Sequence, residues 1–303
     1  MVDLAVMTPT FLLSSRLGLL HQPQGQSVPN LGVEEAPLSI VSASIIEELQ
    51  LQTQEFKYSL PDQVVSSDYY HAFARETNLF RDRIMDSLRV SPEHRPTSIA
   101  VGGDHSISLA HIAGLLGTVA IPDKTGIIMI DSHADINLVK TSPTGNLHGM
   151  WLRAVMSQFD NQEIDQIVPN KVSPLNVVYV GNQNLDAAER DFIEQQGIQV
   201  FPVEYIRENK KAALDWFTNW MKKVSHVHLS IDVDGFDQSL APATGIPCLN
   251  GLMIEDVAEV VAKVKEQRQW SADIVEVNPR KAGGAKTVRF AQDILRTFLT
   301  EAW

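Results

Sequence analysis

From residue 97 onward the chain alternates short apolar runs with amphipathic stretches, and this rhythm constrains the fold more than any other feature. The runs cover residues 98–101, 126–130, 176–180, 198–203, 227–231 and 274–277, lengths that suit buried strands. Between them, residues 185–196, 210–224, 254–267 and 285–299 carry helical apolar spacing, and the stripe in the last of these reads as a core-facing surface. Repeated strand–helix–strand units predict an α/β fold, a three-layer α/β/α sandwich with a central, mostly parallel sheet. Upstream, residues 45–52 and 69–90 are predicted helices, 17–21 the first strand, and the Gln-, Pro- and Gly-rich 22–30 a loop. No repeat, low-complexity tract or linker interrupts the pattern, so residues 1–303 read as one domain.

Hydrophobic residues make up 44% of the chain and charged residues 20%, ordinary globular usage. A formal charge of −12 argues against nucleic-acid or anionic-membrane partners, which need clustered Lys and Arg to displace counterions. Cys248 is the only cysteine, which rules out an intrachain disulfide and a Cys-based zinc site and suits the cytoplasm. Asp3 stands where a secretory signal carries positive charge, and Pro9 and Arg16 break the early apolar stretches. No apolar run reaches the roughly 20 residues of a spanning helix. The expected partner is a small molecule, and Trp303 at the terminus is a candidate for contacts between copies.

Asp131-Ser132-His133-Ala134-Asp135 follows the run 126–130 directly. In extended backbone, positions i, i+2 and i+4 share a face, so Asp131, His133 and Asp135 can converge on one point. Asp232 and Asp234 repeat the pattern after 227–231, and His105 follows 98–101 within Gly102-Gly103-Asp104-His105-Ser106. Open α/β sheets build their sites at such carboxyl ends. If these strands are neighbours, the six side chains form one oxygen-rich, thiol-free cluster, which suits Mn²⁺ and less selectively Fe²⁺, Co²⁺ or Zn²⁺. Six ligands exceed what one catalytic ion needs; they suit two ions about 3.5 to 4 Å apart, sharing bridging aspartates and a nucleophilic hydroxide. Alone, Asp-x-His-x-Asp is as often a polar turn, and the second aspartate pair decides for metal. His111, His226 and His228 read as structural, and Cys248 as a small buried hydrophobe.

These motifs together resemble the ureohydrolase family, which includes arginases, agmatinases, guanidino-acid hydrolases and formiminoglutamases. The resemblance extends to Gly145-Asn146-Leu147-His148-Gly149, Ala241-Pro242-Ala243-Thr244-Gly245-Ile246-Pro247 and Val275-Glu276-Val277-Asn278-Pro279. Gly32-Val33-Glu34-Glu35-Ala36-Pro37 and the segment around His148 are most similar to the arginase branch. The resemblance implies one Mn²⁺ on His105, Asp131, Asp135 and Asp232, a second on Asp131, His133, Asp232 and Asp234, and hydrolysis of L-arginine to L-ornithine and urea. It further implies that Glu276 grips the guanidinium, Asp135 orients the hydroxide and His148 passes a proton to the leaving amine. Asn137, Thr144, Asn146 and Asp186 would hold the amino-acid end of the substrate, and a homo-oligomer, trimer or hexamer, is implied too. Gln183 and Asn184 depart from the Arg and Asp usual in arginases, and Ile246 from a frequent Thr. Agmatine or another guanidino compound is therefore the alternative substrate. An inactive metal-binding regulatory protein is the alternative of another class.

Overall fold

Eight parallel strands make one sheet in the computed structural model, which describes residues 8–21, 30–58, 68–89, 97–118 and 120–300. They are β1 (Pro9–Ser14), β2 (Gln52–Lys57), β3 (Ser98–Gly102), β4 (Thr125–Ile130), β5 (Val177–Val180), β6 (Gln199–Phe201), β7 (His226–Asp232) and β8 (Trp270–Val275). Their order is β2-β1-β3-β8-β7-β4-β5-β6, with every pairing parallel. The helices are α1 (Ala36–Ile40), α2 (Ala43–Leu49), α3 (Tyr69–Arg89), α4 (Ile107–Leu116), α5 (Trp151–Met156), α6 (Gln162–Asp165), α7 (Ala187–Gln196), α8 (Val203–Glu208), α9 (Lys210–Met221), α10 (Ile254–Lys265) and α11 (Gly284–Leu299). None of the described helices is long and apolar enough to cross a membrane.

Strand alternation assigns the two core layers. Ile128 and Ile130 pack with Val178, Val180, Leu229 and Ile231 against α1, α9, α10 and α11. On the other face, Ile127, Met129, Val177 and Tyr179 meet α3, α4, α5 and α7. Each fully buried Ile contributes about 1.5–3 kcal/mol over an exposed one. The three-layer sandwich expected from the alternation is thus present.

Several boundaries differ from the sequence expectation. Residues 17–21 are not the first strand: Leu17–Leu19 is a 3₁₀ turn whose leucines are buried beside α3, and the strand lies earlier, at β1. The helix expected over 45–52 ends at Leu49 because Gln50 turns left-handed, φ 49°, and Gln52 opens β2. β2 is an edge strand with one buried side chain, Phe56, so its sequence QTQEFK lacks an apolar run. β8 spans 270–275 instead of 274–277, because Ser271 and Asp273 interrupt its apolar pattern although both are fully buried. Trp303, residues 22–29 and 1–7, and Val90 at the end of the expected second helix lie outside the described residues.

Candidate metal centre

The order β3-β8-β7-β4 makes neighbours of the three strands whose carboxyl ends carry the expected ligands and of β8, which is followed by Glu276. Two glycines let these ends close up. A Cβ on Gly103 would fall 1.7 Å from the Ser15 carbonyl oxygen, and one on Gly235 would fall 2.8 Å from the Asp131 nitrogen. The backbone is bent at the site as well: Asp135 has φ 54° and Glu276 φ 65°, conformations that cost a non-glycine residue of order 1–3 kcal/mol and persist only under strong surrounding constraint.

The six side chains meet. His105 Nδ1 lies 3.2 Å from Asp131 Oδ2, 2.9 Å from Asp135 Oδ2 and 3.3 Å from Asp232 Oδ2. His133 Nδ1 lies 3.1 Å from Asp234 Oδ2 and 3.6 Å from Asp131 Oδ1. Two groups, His105/Asp131/Asp135 and Asp131/His133/Asp234, each bring their ligand atoms within 4.8 Å of one another, and Asp131 belongs to both. His105 Nδ1 and Asp131 Oδ2 are buried without a hydrogen-bond partner. A shared divalent cation satisfies both atoms and offsets the clustered carboxylates, so the residues fit a metal pair.

Second-layer contacts aim these ligands. Trp151 Nε1 donates to Asp135 Oδ2 at 3.1 Å, and the Ser132 hydroxyl donates to Asp234 Oδ1 at 2.8 Å. His133 and Asp234 main-chain N–H groups donate to Asp131 and Asp232, at 2.6 and 2.8 Å. With Nδ1 facing the carboxylates, His105 donates through Nε2 to the Ser230 hydroxyl at 2.9 Å, and Ser230 donates to Asp273 Oδ1 at 2.6 Å. Asp273 Oδ2 also accepts from His228 Nε2 at 2.9 Å, His228 Nδ1 meets the Ser271 hydroxyl at 2.8 Å, and Ser271 meets His226 Nε2 at 2.8 Å. His111 Nε2 pairs with the Ser98 hydroxyl at 2.9 Å. His111, His226 and His228 thus take hydrogen-bonded core positions. His111, His228 and Asp273 also approach within 4.8 Å, but His228 and Asp273 already spend their facing atoms on each other.

All the expected site residues except His105 and Asp131, which lie beneath the floor, line one cavity of ≈ 180 Å³. His148 and Glu276 face each other across it, Nδ1 to Oε1 3.9 Å. Glu276 Oε1 accepts the His105 main-chain N–H at 3.0 Å, and Oε2 accepts the Asn30 amide at 2.8 Å. Asn137 Nδ2 donates to Asp186 Oδ2 at 2.8 Å, so these two hold one another. Ile246, which lines the same cavity, is 59% exposed. Sequence reasoning missed Trp151, Asn30, Ser230 and Asp273. Only Asp273 left a signal, a carboxylate inside an otherwise apolar stretch; Asn30 sits at the end of a segment that reads as loop.

Without metal the cluster is proton-hungry. Burial, then the Asp234 and Asp131 charges, raise Asp232 well above the carboxylate range, and burial followed by the Asp104 charge pushes Glu276 up to about 8. Burial works against the charged forms of His105 and His133, yet the aspartate carboxylates crowded against both rings draw them upward. An acid whose folded pKa is raised loses stability as pH climbs from its unfolded toward its folded value. A histidine with a raised pKa loses its contribution as pH rises through the folded value, so all four act in one direction. His111 and His226, lowered by burial to about 3, act only below about pH 6.5, in the opposite sense. The Tm of the metal-stripped protein should therefore fall between about pH 6.5 and 8, whereas excess Mn²⁺, which displaces protons, should widen the gap to the stripped protein by several degrees. Thermal melts with Mn²⁺ and with a chelator measure this; a gap independent of pH contradicts it.

The comparisons with known proteins agree with this geometry. The arginase family model matches residues 18–300. An arginase of Staphylococcus aureus is 30% identical over 298 residues, covering 94% of this chain and 97% of its own. An arginase of Entamoeba histolytica is 28% identical over 264 residues, covering 85% and 89%. The crystal structure of arginase from Bacillus subtilis superposes with a TM-score of 0.81 at 25% identity, covering 98% of this chain and 99% of that one. The chain belongs to the arginase family and is a metal-dependent enzyme of the ureohydrolase kind.

Proposed function

We propose that this protein is a dimanganese hydrolase that converts L-arginine and water to L-ornithine and urea. The observation that carries the reading is the convergence of His105, Asp131, His133, Asp135, Asp232 and Asp234 beneath a cavity walled by Glu276 and His148. We assign His105, Asp131, Asp135 and Asp232 to one ion and Asp131, His133, Asp232 and Asp234 to the other, with manganese favoured by the carboxylate-rich donor set. Bound ions supply hydroxide near neutral pH.

The protein's own groups do the rest. Glu276, fixed at both oxygens, pairs with the substrate guanidinium and holds its carbon over the metal floor. Asp135, oriented by Trp151, would accept a hydrogen bond from the nucleophilic hydroxide. Addition would give a tetrahedral carbon; as its C–N bond to the ornithine side chain breaks, His148 delivers a proton to that nitrogen and Asp135 takes the proton of the added hydroxyl, leaving urea. Burial lowers the His148 pKa, against the pull of Asp135 and Asp104, which makes the imidazolium a willing donor.

At the far end of the cavity, Thr144, Asn146, Asn137 and Asp186 are assigned to the α-carboxylate and α-ammonium. Asp186 is the carboxylate suited to the ammonium, and agmatine, which lacks the carboxylate, gains less from Asn146. Purified Mn²⁺-loaded protein should hydrolyse arginine faster than agmatine or guanidinobutyrate in a urea assay. Asp186→Ala should lower the arginine-to-guanidinobutyrate ratio of kcat/KM by about tenfold, the scale of one charge-assisted hydrogen bond, because arginine carries the ammonium and guanidinobutyrate does not. Gln183 and Asn184 stand where arginases usually carry Arg and Asp, which motivates a second reading in which agmatine or another guanidino compound is preferred; wild-type protein hydrolysing that compound faster than arginine selects it. The single Cys248 supports a cytoplasmic setting, and the family supports a homo-oligomer.

A further inference from the structure

We propose that His21 and Tyr70, which do not line the cavity, form a clamp that presents Thr144 and Asn146 to the substrate and so sets the affinity for its amino-acid end. The inference rests on the arginine reading above and deepens it. Residues 138–146 form an irregular segment that lines the cavity through Ser142, Pro143, Thr144 and Asn146, tied at one end by the Val139 and Lys140 N–H groups to Asp160, at 2.9 and 3.1 Å. The other end is held from behind. His21 Nδ1 meets the Thr144 carbonyl oxygen at 2.7 Å, and the Tyr70 hydroxyl donates to the next carbonyl, Gly145, at 3.0 Å. Because a carbonyl only accepts, Nδ1 carries the His21 proton.

The His21 main-chain N–H donates to Asn146 Oδ1 at 2.9 Å. That bond fixes which end of the amide is which, leaving the Nδ2 donors for a carboxylate in the cavity. The clamp is itself braced. The His21 ring packs 5.2 Å from Tyr69 and 5.6 Å from Tyr70, and the fully buried Tyr69 hydroxyl donates to the Gly18 carbonyl while accepting the Leu147 N–H. Gly145 completes the fit: its φ is 72°, and a Cβ there would fall 2.5 Å from His21 Nδ1. The ring and the loop therefore require each other.

The test uses His21→Ala, Tyr70→Phe and the double variant in the Mn²⁺-loaded protein, with His21→Asn as the conservative variant, because the asparagine amide can donate where Nδ1 does. In the double variant KM for L-arginine should rise about tenfold with kcat within about twofold, because the two lost hydrogen bonds weaken the hold on ground and transition states alike. Manganese content should be unchanged, and His21→Asn should recover most of the loss. Limited trypsin digestion, read by mass spectrometry, should show faster cleavage after the exposed Lys140 in the double variant. Wild-type KM together with wild-type cleavage at Lys140 overturns the clamp, as does an equal loss of kcat and kcat/KM. If the wild type does not hydrolyse arginine, the substrate reading fails, and cleavage at Lys140 alone decides the clamp.

Discussion

Replacing Asp232 by alanine should leave at most one retained divalent ion per chain and lower urea release by about 10³-fold or more. The magnitude follows from losing metal activation of water and of the developing negative charge, worth several kcal/mol, at tenfold per 1.36 kcal/mol. Asp232 approaches His105 Nδ1 at 3.3 Å, and its Oδ1 accepts the Asp234 N–H at 2.8 Å. Its removal thus takes a ligand from the assigned pair and loosens Asp234. Asp131→Ala should behave alike, since Asp131 belongs to both ligand groups. Metal analysis and a urea assay on the same dialysed sample check the result. Two ions retained with activity within tenfold of wild type would exclude the bridging role.

Glu276→Gln should leave the metal content intact and reduce kcat/KM for the guanidine substrate by about 10² to 10³-fold. Truncating one side of a buried, hydrogen-bonded charge pair costs about 2–5 kcal/mol, which is the scale expected if the carboxylate pairs with the guanidinium. The native carboxylate accepts from the His105 N–H and the Asn30 amide; glutamine keeps one acceptor but turns a donor toward Asn30 or toward the substrate. Because burial and Asp104 push Glu276 up to about 8 without metal, guanidinium binding to the metal-stripped protein should take up the negative charge and release a proton. Calorimetry of an inhibitor guanidine in two buffers of different ionisation enthalpy reads that proton. Metal loss in Glu276→Gln, or unchanged kcat/KM, contradicts the assignment.

The metal site was more legible than the strands that carry it. Asp131, His133 and Asp135 show in sequence because alternation along extended backbone turns spacing directly into a shared face, and Asp232 and Asp234 follow the same rule. That the two segments meet is a matter of strand order, with β7 between β4 and β8; only the family resemblance supplied it. The central strands hid part of themselves for one physical reason. β7 and β8 bury His226, His228, Ser230, Ser271 and Asp273 and hydrogen-bond them to one another, so a fully buried face looks half polar. Edge strand β2 failed the opposite way, because solvent permits QTQEFK where a buried strand would demand apolar residues. Positive φ at Asp135 and Glu276 left no trace in sequence, since it is imposed by packing against local preference.

The most direct test of the central claim is the manganese stoichiometry of the native protein, measured by elemental analysis after equilibration and by electron paramagnetic resonance as Mn²⁺ is titrated in. The geometry predicts two ions per chain and, at saturation, the exchange-coupled spectrum of an adjacent pair. A plateau at one ion, or two that keep the uncoupled six-line spectrum of isolated Mn²⁺, would contradict it.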